Sequence, residues 1–240
     1  MIIPKENNRS IRAYSTTNYD YFRDYDRIKF KLTHMESSLK KASSLLDIGC
    51  AKGELIYLMK EKFPHIKYTG LEYNQELIEI AQKESFLNTV NFVNGDARDF
   101  NLNQSFDIVL MSGVLSIFDD FSTVIQNMLN HISSNGVCYI FGMFNPKDMD
   151  VIIRFRNNYN NSVNWESGFN NFSLKTIKKY IFSLDFQLEV FPFKISTVLK
   201  PADNPIRSYT LSTTDNELII TNGIGIITNF YLLKIYKNKR

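Results

Sequence analysis

Residues 45–55 read LLDIGCAKGEL: an apolar run ending in an acid, a glycine-bearing turn, then the start of a helix-forming run. That order describes a buried strand feeding a helix through a loop whose backbone comes close to a ligand. Gly49 and Gly53 put no Cβ in the way and tolerate positive φ. The loop and the helix N-terminus are expected to offer N–H groups to a carboxylate or phosphate. Asp47 can accept from an ammonium group or ordered water, and Cys50 lies in the same loop. A second acid, Glu72, followed by Tyr73, ends the apolar part of YTGLEYN, where a carboxylate can take both hydroxyls of a ribose. A third, Asp96, follows VNFVNG, placed to accept from an exocyclic amine while the Ala97 N–H meets a ring nitrogen. Each acid alone reads equally as a strand-end or turn residue. Together, in order at the ends of successive strands, they read as a nucleotide-type site.

In this pattern the chain resembles the class I S-adenosylmethionine-dependent methyltransferases over residues 45–142. The resemblance implies that Asp47, Gly49, Cys50 and Gly53 hold the methionine end, Glu72 and Tyr73 the ribose, and Asp96 and Ala97 the adenine. Ser112, after the fourth strand, joins the cofactor set. The cofactor would be S-adenosyl-L-methionine and the product S-adenosyl-L-homocysteine. Ala51 departs from the family, where many members carry glycine; an alanine costs little there if φ is negative. The nearest rival, an NAD-type domain, wants G-x-G-x-x-G with an acid about 20 residues on. This chain has G-x-x-x-G from Gly49 to Gly53, with an acid two residues before it.

The elements that must position these residues alternate. Strands are expected over 45–48, 67–71, 90–93, 107–111 and 137–141, with helices over 54–62, 75–84 and 121–132 between them. A turn at Ser134, Asn135 and Gly136 is expected before the fifth strand. Apolar strands alternating with helices give a parallel sheet covered on both faces. A helix over 19–39 precedes them, and residues up to 18 read as a polar arm or part of a lid. After Phe144 the rhythm changes: residues 147–171 are irregular, Ser173 caps a helix over 175–182, and strands over 186–193 and 226–236 lack a crossover helix. Such strands pair antiparallel. A hairpin is expected around Thr214, Asp215 and Asn216. The expected fold class is thus α/β, a doubly wound, Rossmann-like, mostly parallel sheet ending in an antiparallel pair, with helices on both faces. The resemblance implies one methyltransferase domain over 1–240: an N-terminal helical arm or lid (1–40), a cofactor-binding core (41–143), and an acceptor-side cover with the final strands (144–240).

A chain of 240 residues that is 44% hydrophobic can bury a sizeable core in a single domain. The net charge of +3 gives no support for nucleic acid or membrane as a partner. The two cysteines, Cys50 and Cys138, lack metal spacing, so no metal is expected and a reduced, cytoplasmic setting fits. No stretch is long enough to span a bilayer, and the N-terminus does not read as a signal peptide.

Methyl transfer from a sulfonium is an in-line displacement; an alcohol acceptor usually needs a base, whereas an amine need only be neutral. His65 and His131 precede strands and belong to the far edge of the sheet. His34, on the first helix, is undecided. Family members often carry histidine where this chain has Ser116. The catalytic candidates are therefore Asp119, Asp120 and Asn145, with Asp148, Asp150 and Glu166 behind them; the two aspartates at 119 and 120 also read as caps of the following helix. The segment after the fifth strand offers an acceptor pocket: Phe144, Asn145, Arg154, Arg156, Trp165 and Asn170, with arginines for an anion, a ring for stacking and amides for hydroxyls. That lining suits a small polar acceptor, a sugar or a phosphorylated or nucleotide-linked sugar, and loosely resembles bacterial surface-polysaccharide methyltransferases. The same arginines also read as a solvated helix face.

Two acceptor classes fit poorly. Methylation of exocyclic amines in nucleic-acid bases goes with an Asn/Asp-Pro-Pro-aromatic segment after the fourth strand, where this chain reads Ser112-Gly113-Val114-Leu115. Cytosine C5 chemistry needs a nucleophilic cysteine in a site loop. Sugar O-methylation leads; N-methylation of a small amine, a catalytically silent methyltransferase-like binding subunit and a dehydrogenase stay open.

Overall fold

The computed structural model describes residues 25–158, 164–201 and 206–237. The expected polar arm, the start of the expected first helix and residues 159–163 of the acceptor segment lie outside the described residues.

In chain order, α1 (Tyr25–Leu39) leads to β1 (Ser44–Ile48), α2 (Glu54–Lys62), β2 (Lys67–Glu72), α3 (Gln75–Lys83), β3 (Asn91–Asn94), β4 (Phe106–Ser112), α4 (Phe121–Asn130) and β5 (Ile132–Asn145). Short strands β6 (Arg154–Phe155), β7 (Glu166–Ser167) and β8 (Phe172–Ser173) follow, then α5 (Leu174–Ser183), β9 (Phe186–Pro192), the hairpin β10 (Tyr209–Ser212) and β11 (Leu218–Thr221), and β12 (Phe230–Lys237). The main sheet runs β3-β2-β1-β4-β5-β12-β9, with β8 beside the end of β5. Its first five strands are parallel. β12 lies antiparallel between β5 and β9, so the strand made last is inserted between two made earlier.

The apolar runs form the middle of the sheet because they can be buried on both faces. Along β1, β4 and β5, side chains alternate between two cores. Leu46, Val109, Met111, Cys138 and Ile140 face one core together with Val124, Ile125, Ile177 and Ile181 from α4 and α5. Leu45, Ile108, Leu110, Tyr139 and Phe141 face the other, with Met35 and Leu39 of α1 and Ile56 and Met59 of α2.

Helix starts follow cap chemistry. Asn74, Asp120 and Ser173 cap α3, α4 and α5 by accepting backbone N–H groups of the first turn. α2 instead starts from Gly53 in the left-handed region, with no side-chain cap. The turn expected at Ser134, Asn135 and Gly136 is instead part of β5, which starts at Ile132 and takes up the irregularity as a register shift against β4 between Phe106 and Ile108. Extra residues taken up in one strand of a pair form a bulge, which leaves the flanking ladder intact.

Candidate functional site

The site forms where β1, β2, β3 and β4 end side by side. Their last residues, Ile48, Glu72, Asn94 and Ser112, define one edge, and the loop 49–53 folds over it. Gly49 and Gly53 adopt φ of 73° and 78°. A Cβ on Gly49 would meet Val114 Cγ2 at 2.3 Å, so the glycine is a packing requirement as well as a conformational one. Ala51 also adopts positive φ, 50°. The departure from glycine therefore does carry strain: the left-handed region costs an L-residue about 1–2 kcal/mol.

The loop's own amides face inward. Gly49 and Cys50 N–H both donate to Leu71 O, at 2.7 and 3.1 Å, and Gly53 N–H donates to Cys50 O at 2.9 Å. Ala51 N–H donates to Glu72 Oε2 at 3.0 Å. β2 holds the amides of Gly49, Cys50 and Ala51, and Cys50 in the loop itself holds that of Gly53, because the chain must reverse within five residues after β1; the expectation that loop amides serve an anion is corrected for these four. Glu72 is doubly used, since its Oε1 accepts Asn74 N–H at 2.9 Å. Each carboxylate oxygen accepts one N–H and has a second lone pair, acceptor capacity for two hydroxyls. Tyr73, beside it, is exposed.

Asp47 is 2% exposed, and burial pushes its carboxyl up to about 7; Lys31 opposes that rise and Glu72 adds to it. Cys50 is a buried free thiol, raised well above its ordinary range by burial first and by Asp47 and Glu72 next. Asp96 follows β3 and accepts Arg98 Nε and Arg98 N–H, both at 2.9 Å; the guanidinium hydrogen bond holds its carboxyl below the usual range. Ala97 is buried, and its carbonyl accepts from Asn127 Nδ2 at 3.2 Å. Ser112 Oγ accepts from Lys31 Nζ at 2.8 Å.

Lys31 escaped the sequence reading. It lies on the core face of α1 with Leu32, Met35 and Leu39, and is 6% exposed. The signal was a charged residue among the apolar positions of an amphipathic helix. The wall beyond it is aromatic. Phe141 stacks with Phe230, Phe193 meets both rings edge-on, and Arg27 lies 4.4 Å from the Phe230 centroid. His34 bonds Phe30 O through Nδ1 and packs against Phe191, which places it in this wall. His131 is buried at the opposite end of the sheet, stacked on Phe100.

A second cluster gathers the residues expected to serve catalysis and the acceptor. Arg154 ion-pairs with Asp119 and donates to Ile153 O. Asn170 is 1% exposed; its amide donates to Phe118 O and Asp119 Oδ1 and accepts from Ile153 N–H. Asn170 is thus a buried brace joining the β4 loop to β6, not a hydroxyl ligand. Phe144 is likewise buried in the core. Asp120 takes its capping role: it accepts from Ser122 N–H, Ser122 Oγ and Thr123 Oγ1, which hold its carboxyl low. Asn145 closes a turn with Lys147 N–H and Met149 O. Asp148 pairs with Lys175, and Asp150 binds Ser173 N–H and Thr176 Oγ1 at the start of α5. Glu166 lies in β7, opposite Phe155. Arg156 lies 6.0 Å from the Trp165 ring and donates to Asn158. Among the described residues, no three His, Cys, Asp or Glu side chains converge in a way that could hold a metal, and no helix is long and apolar enough to cross a membrane.

The donor set fits an adenosyl amino acid: a buried acid for an ammonium, a paired carboxylate for vicinal hydroxyls, and an acid beside a backbone amide for an adenine edge. A family model described as "Methyltransferase domain" matches residues 39–184, and the chain belongs to that family. It is 25% identical over 125 residues to a malonyl-[acyl-carrier protein] O-methyltransferase of Acetivibrio thermocellus, covering 50% of this chain and 43% of that protein. It is 31% identical over 110 residues to a dTDP-4-amino-2,3,4,6-tetradeoxy-D-glucose N,N-dimethyltransferase of Saccharopolyspora spinosa, covering 44% and 43%. The chain thus spans less than half the length of these curated relatives. Among solved structures, the glycopeptide N-methyltransferase MtfA complexed with S-adenosyl-L-homocysteine superposes with a TM-score of 0.62 at 11% identity, over 95% of each chain. That likeness shows the mostly parallel, Rossmann-like α/β fold.

Proposed function

We propose that this chain is an S-adenosylmethionine-dependent methyltransferase acting on a small polar acceptor. The observation that carries the reading is the placement of Asp47 and Glu72 on the adjacent parallel strands β1 and β2 and of Asp96 just after the next, β3, beside the loop 49–53. When bound, the cofactor supplies an electrophilic methyl group that leaves in line with the attacking atom. Glu72 holds the ribose hydroxyls, Asp96 the adenine amine and Asp47 the ammonium. The family match and the relatives' shared methyltransferase activity support this reading. Both cysteines being buried free thiols supports a reducing, cytoplasmic setting.

The acceptor class we propose is a sugar or nucleotide-linked sugar, methylated on oxygen in bacterial surface-polysaccharide synthesis. Arg156 and Trp165, paired on the cover, and Arg27 by the aromatic wall supply cation and ring surfaces for such a molecule. A second reading, methylation of an amine, is favoured by one observation: Asp119 and Asp120 are both engaged in bonds that hold the fold. A neutral amine needs no base, and the Saccharopolyspora spinosa relative is an amino-sugar N,N-dimethyltransferase.

Calorimetry with S-adenosyl-L-homocysteine and NAD tests the cofactor. Binding of the first and not the second is expected; the reverse overturns the reading. Transfer of labelled methyl to dTDP-sugars with and without a 4-amino group then separates nitrogen from oxygen.

A further inference from the structure

Two consecutive asparagines of the cover are buried, and their bonding differs. Asn170 uses its whole amide as a brace: Nδ2 donates to Phe118 O and Asp119 Oδ1, and Oδ1 accepts Ile153 N–H. Asn171 is 8% exposed. Its backbone N–H donates to Val151 O at 2.9 Å, and its carbonyl accepts Val151 N–H at 3.0 Å. Among the described residues, nothing donates to its side-chain oxygen, which is itself buried. A buried amide oxygen without a donor has given up its hydration for nothing, so it destabilises the fold. A leucine, branched at the same carbon, would avoid that cost.

The surroundings of Asn171 point to what supplies the donor. Bridged to Val151 and followed by β8, Asn171 is in extended backbone, where successive side chains point to opposite faces. Phe172 points into the core of α4 and α5, beside Phe144. Asn171 therefore points the other way, to the face of Phe169, which packs against the core containing Phe141, Phe193 and Phe230. Phe141 is the register partner of Ser112, at the site edge of β4. Asn170 N–H donates to Ser116 O at 2.7 Å, which seats this segment over the β4 loop. The buried oxygen thus belongs to the face of the aromatic wall, at the end of the sheet where the cofactor loop folds.

We propose that Asn171 binds the molecule to be methylated, its side-chain oxygen taking an N–H or O–H of a ring that packs on Phe141, Phe193 and Phe230. This rests on the sugar reading above and deepens it: a sugar or amino-sugar ring offers both an apolar face for the phenyl rings and a donor for the amide. The fold keeps one buried oxygen unfilled until that ring arrives, and so gives up stability for recognition. The amide that serves the acceptor is then Asn171, one residue on from the expected Asn170.

Asn171→Leu and Asn171→Ala remove the oxygen, the second serving where leucine does not fit. With the dTDP-sugar that wild type methylates, each folded variant should raise the acceptor KM about 5- to 100-fold, as a donor on the bound ring is left unmade, with kcat within a few fold. Calorimetric affinity for S-adenosyl-L-homocysteine should stay at the wild-type value. The melting temperature should stay near it too, because no hydrogen bond within the protein is lost. An unchanged acceptor KM in a folded variant overturns the proposal. So does a parallel loss of S-adenosyl-L-homocysteine affinity, or a melting temperature lowered by more than about 8 °C in both variants, which would mean that the amide holds the fold. Wild type that binds S-adenosyl-L-homocysteine but transfers methyl to no dTDP-sugar overturns the sugar reading itself, and this proposal with it.

Discussion

Glu72 and Ala51 are locked together: the carboxylate at the end of β2 accepts the Ala51 N–H at 3.0 Å, while its other oxygen takes the Asn74 N–H. The residue proposed to hold the ribose therefore also holds the first loop in shape. Glu72→Ala should weaken S-adenosyl-L-homocysteine binding by roughly 2–4 kcal/mol. It should also lower the melting temperature of the ligand-free protein, because two amides lose an acceptor. Glu72→Gln keeps one of the two acceptor oxygens and sets a donor against the other amide, so it should recover only part of the stability and part of the affinity. Calorimetry and thermal melts on both variants check this, and full affinity in Glu72→Ala would remove Glu72 from the site.

Ala51, at φ 50°, pays a strain that glycine would not. The left-handed penalty of about 1–2 kcal/mol is partly offset by glycine's freer unfolded chain, about 0.4–1 kcal/mol. Ala51→Gly should stabilise the protein by about 0.5–1 kcal/mol in urea unfolding, with cofactor affinity kept. Destabilisation would mean that the Ala51 methyl makes packing contacts that outweigh its backbone strain.

Asp47 makes stability depend on pH. Its carboxyl is pushed from 3.8 to about 7 by burial. Below the lower value, folded and unfolded chains both carry the proton; between the two, only the folded chain keeps it. Its contribution to stability is therefore full in acid and lost as pH rises through 7. Asp47→Asn should show no such loss, so from pH 4.5 to 7.5 wild type should fall by on the order of 2–4 kcal/mol relative to the variant. A cofactor ammonium against Asp47 reverses the shift, so binding near pH 6.5 should release a proton. Calorimetric heats in buffers of different ionisation enthalpy measure that proton.

Arg154 and Asp119 test whether the second cluster acts in catalysis or holds the cover. Arg154 is almost wholly buried, and the pair shares Asn170. If the pair is a brace, Arg154→Ala and Asp119→Ala should each destabilise by about 1–3 kcal/mol, and the double variant by little more than either. Asp120→Ala should cost about 1 kcal/mol through its lost cap. A fall in kcat at unchanged stability, in Asp119→Ala or Asp120→Ala, would instead identify that carboxylate as the base. Acceptor KM should rise in Arg156→Ala if the acceptor carries an anion, with cofactor affinity unchanged.

The strands and the three acids were readable because both follow from local pattern. An apolar run such as 107–111 has to be buried on both faces, and an acid ending such a run has to lie at the sheet's edge. The conformation of Ala51 was not readable: it is imposed by the Leu71 carbonyl and the Glu72 carboxylate, 20 and 21 residues away. Nor was the role of Asn170, whose partners at 118, 119 and 153 meet only when β6 and β7 fold back over the β4 loop. Lys31 did not stand out and Arg154 was expected to meet an acceptor anion or solvent; tertiary packing buries both side chains.

The position of β12 orders the assembly of the protein in time. Until residues 230–237 emerge from the ribosome, β5 is the open border of the parallel strands and β9 lacks the strand it pairs with. An uncovered border of apolar strand is a template for association with other chains. The nascent protein therefore passes through a stage, ending when β12 forms, in which a chaperone or its own unfinished copies can occupy the slot meant for β12.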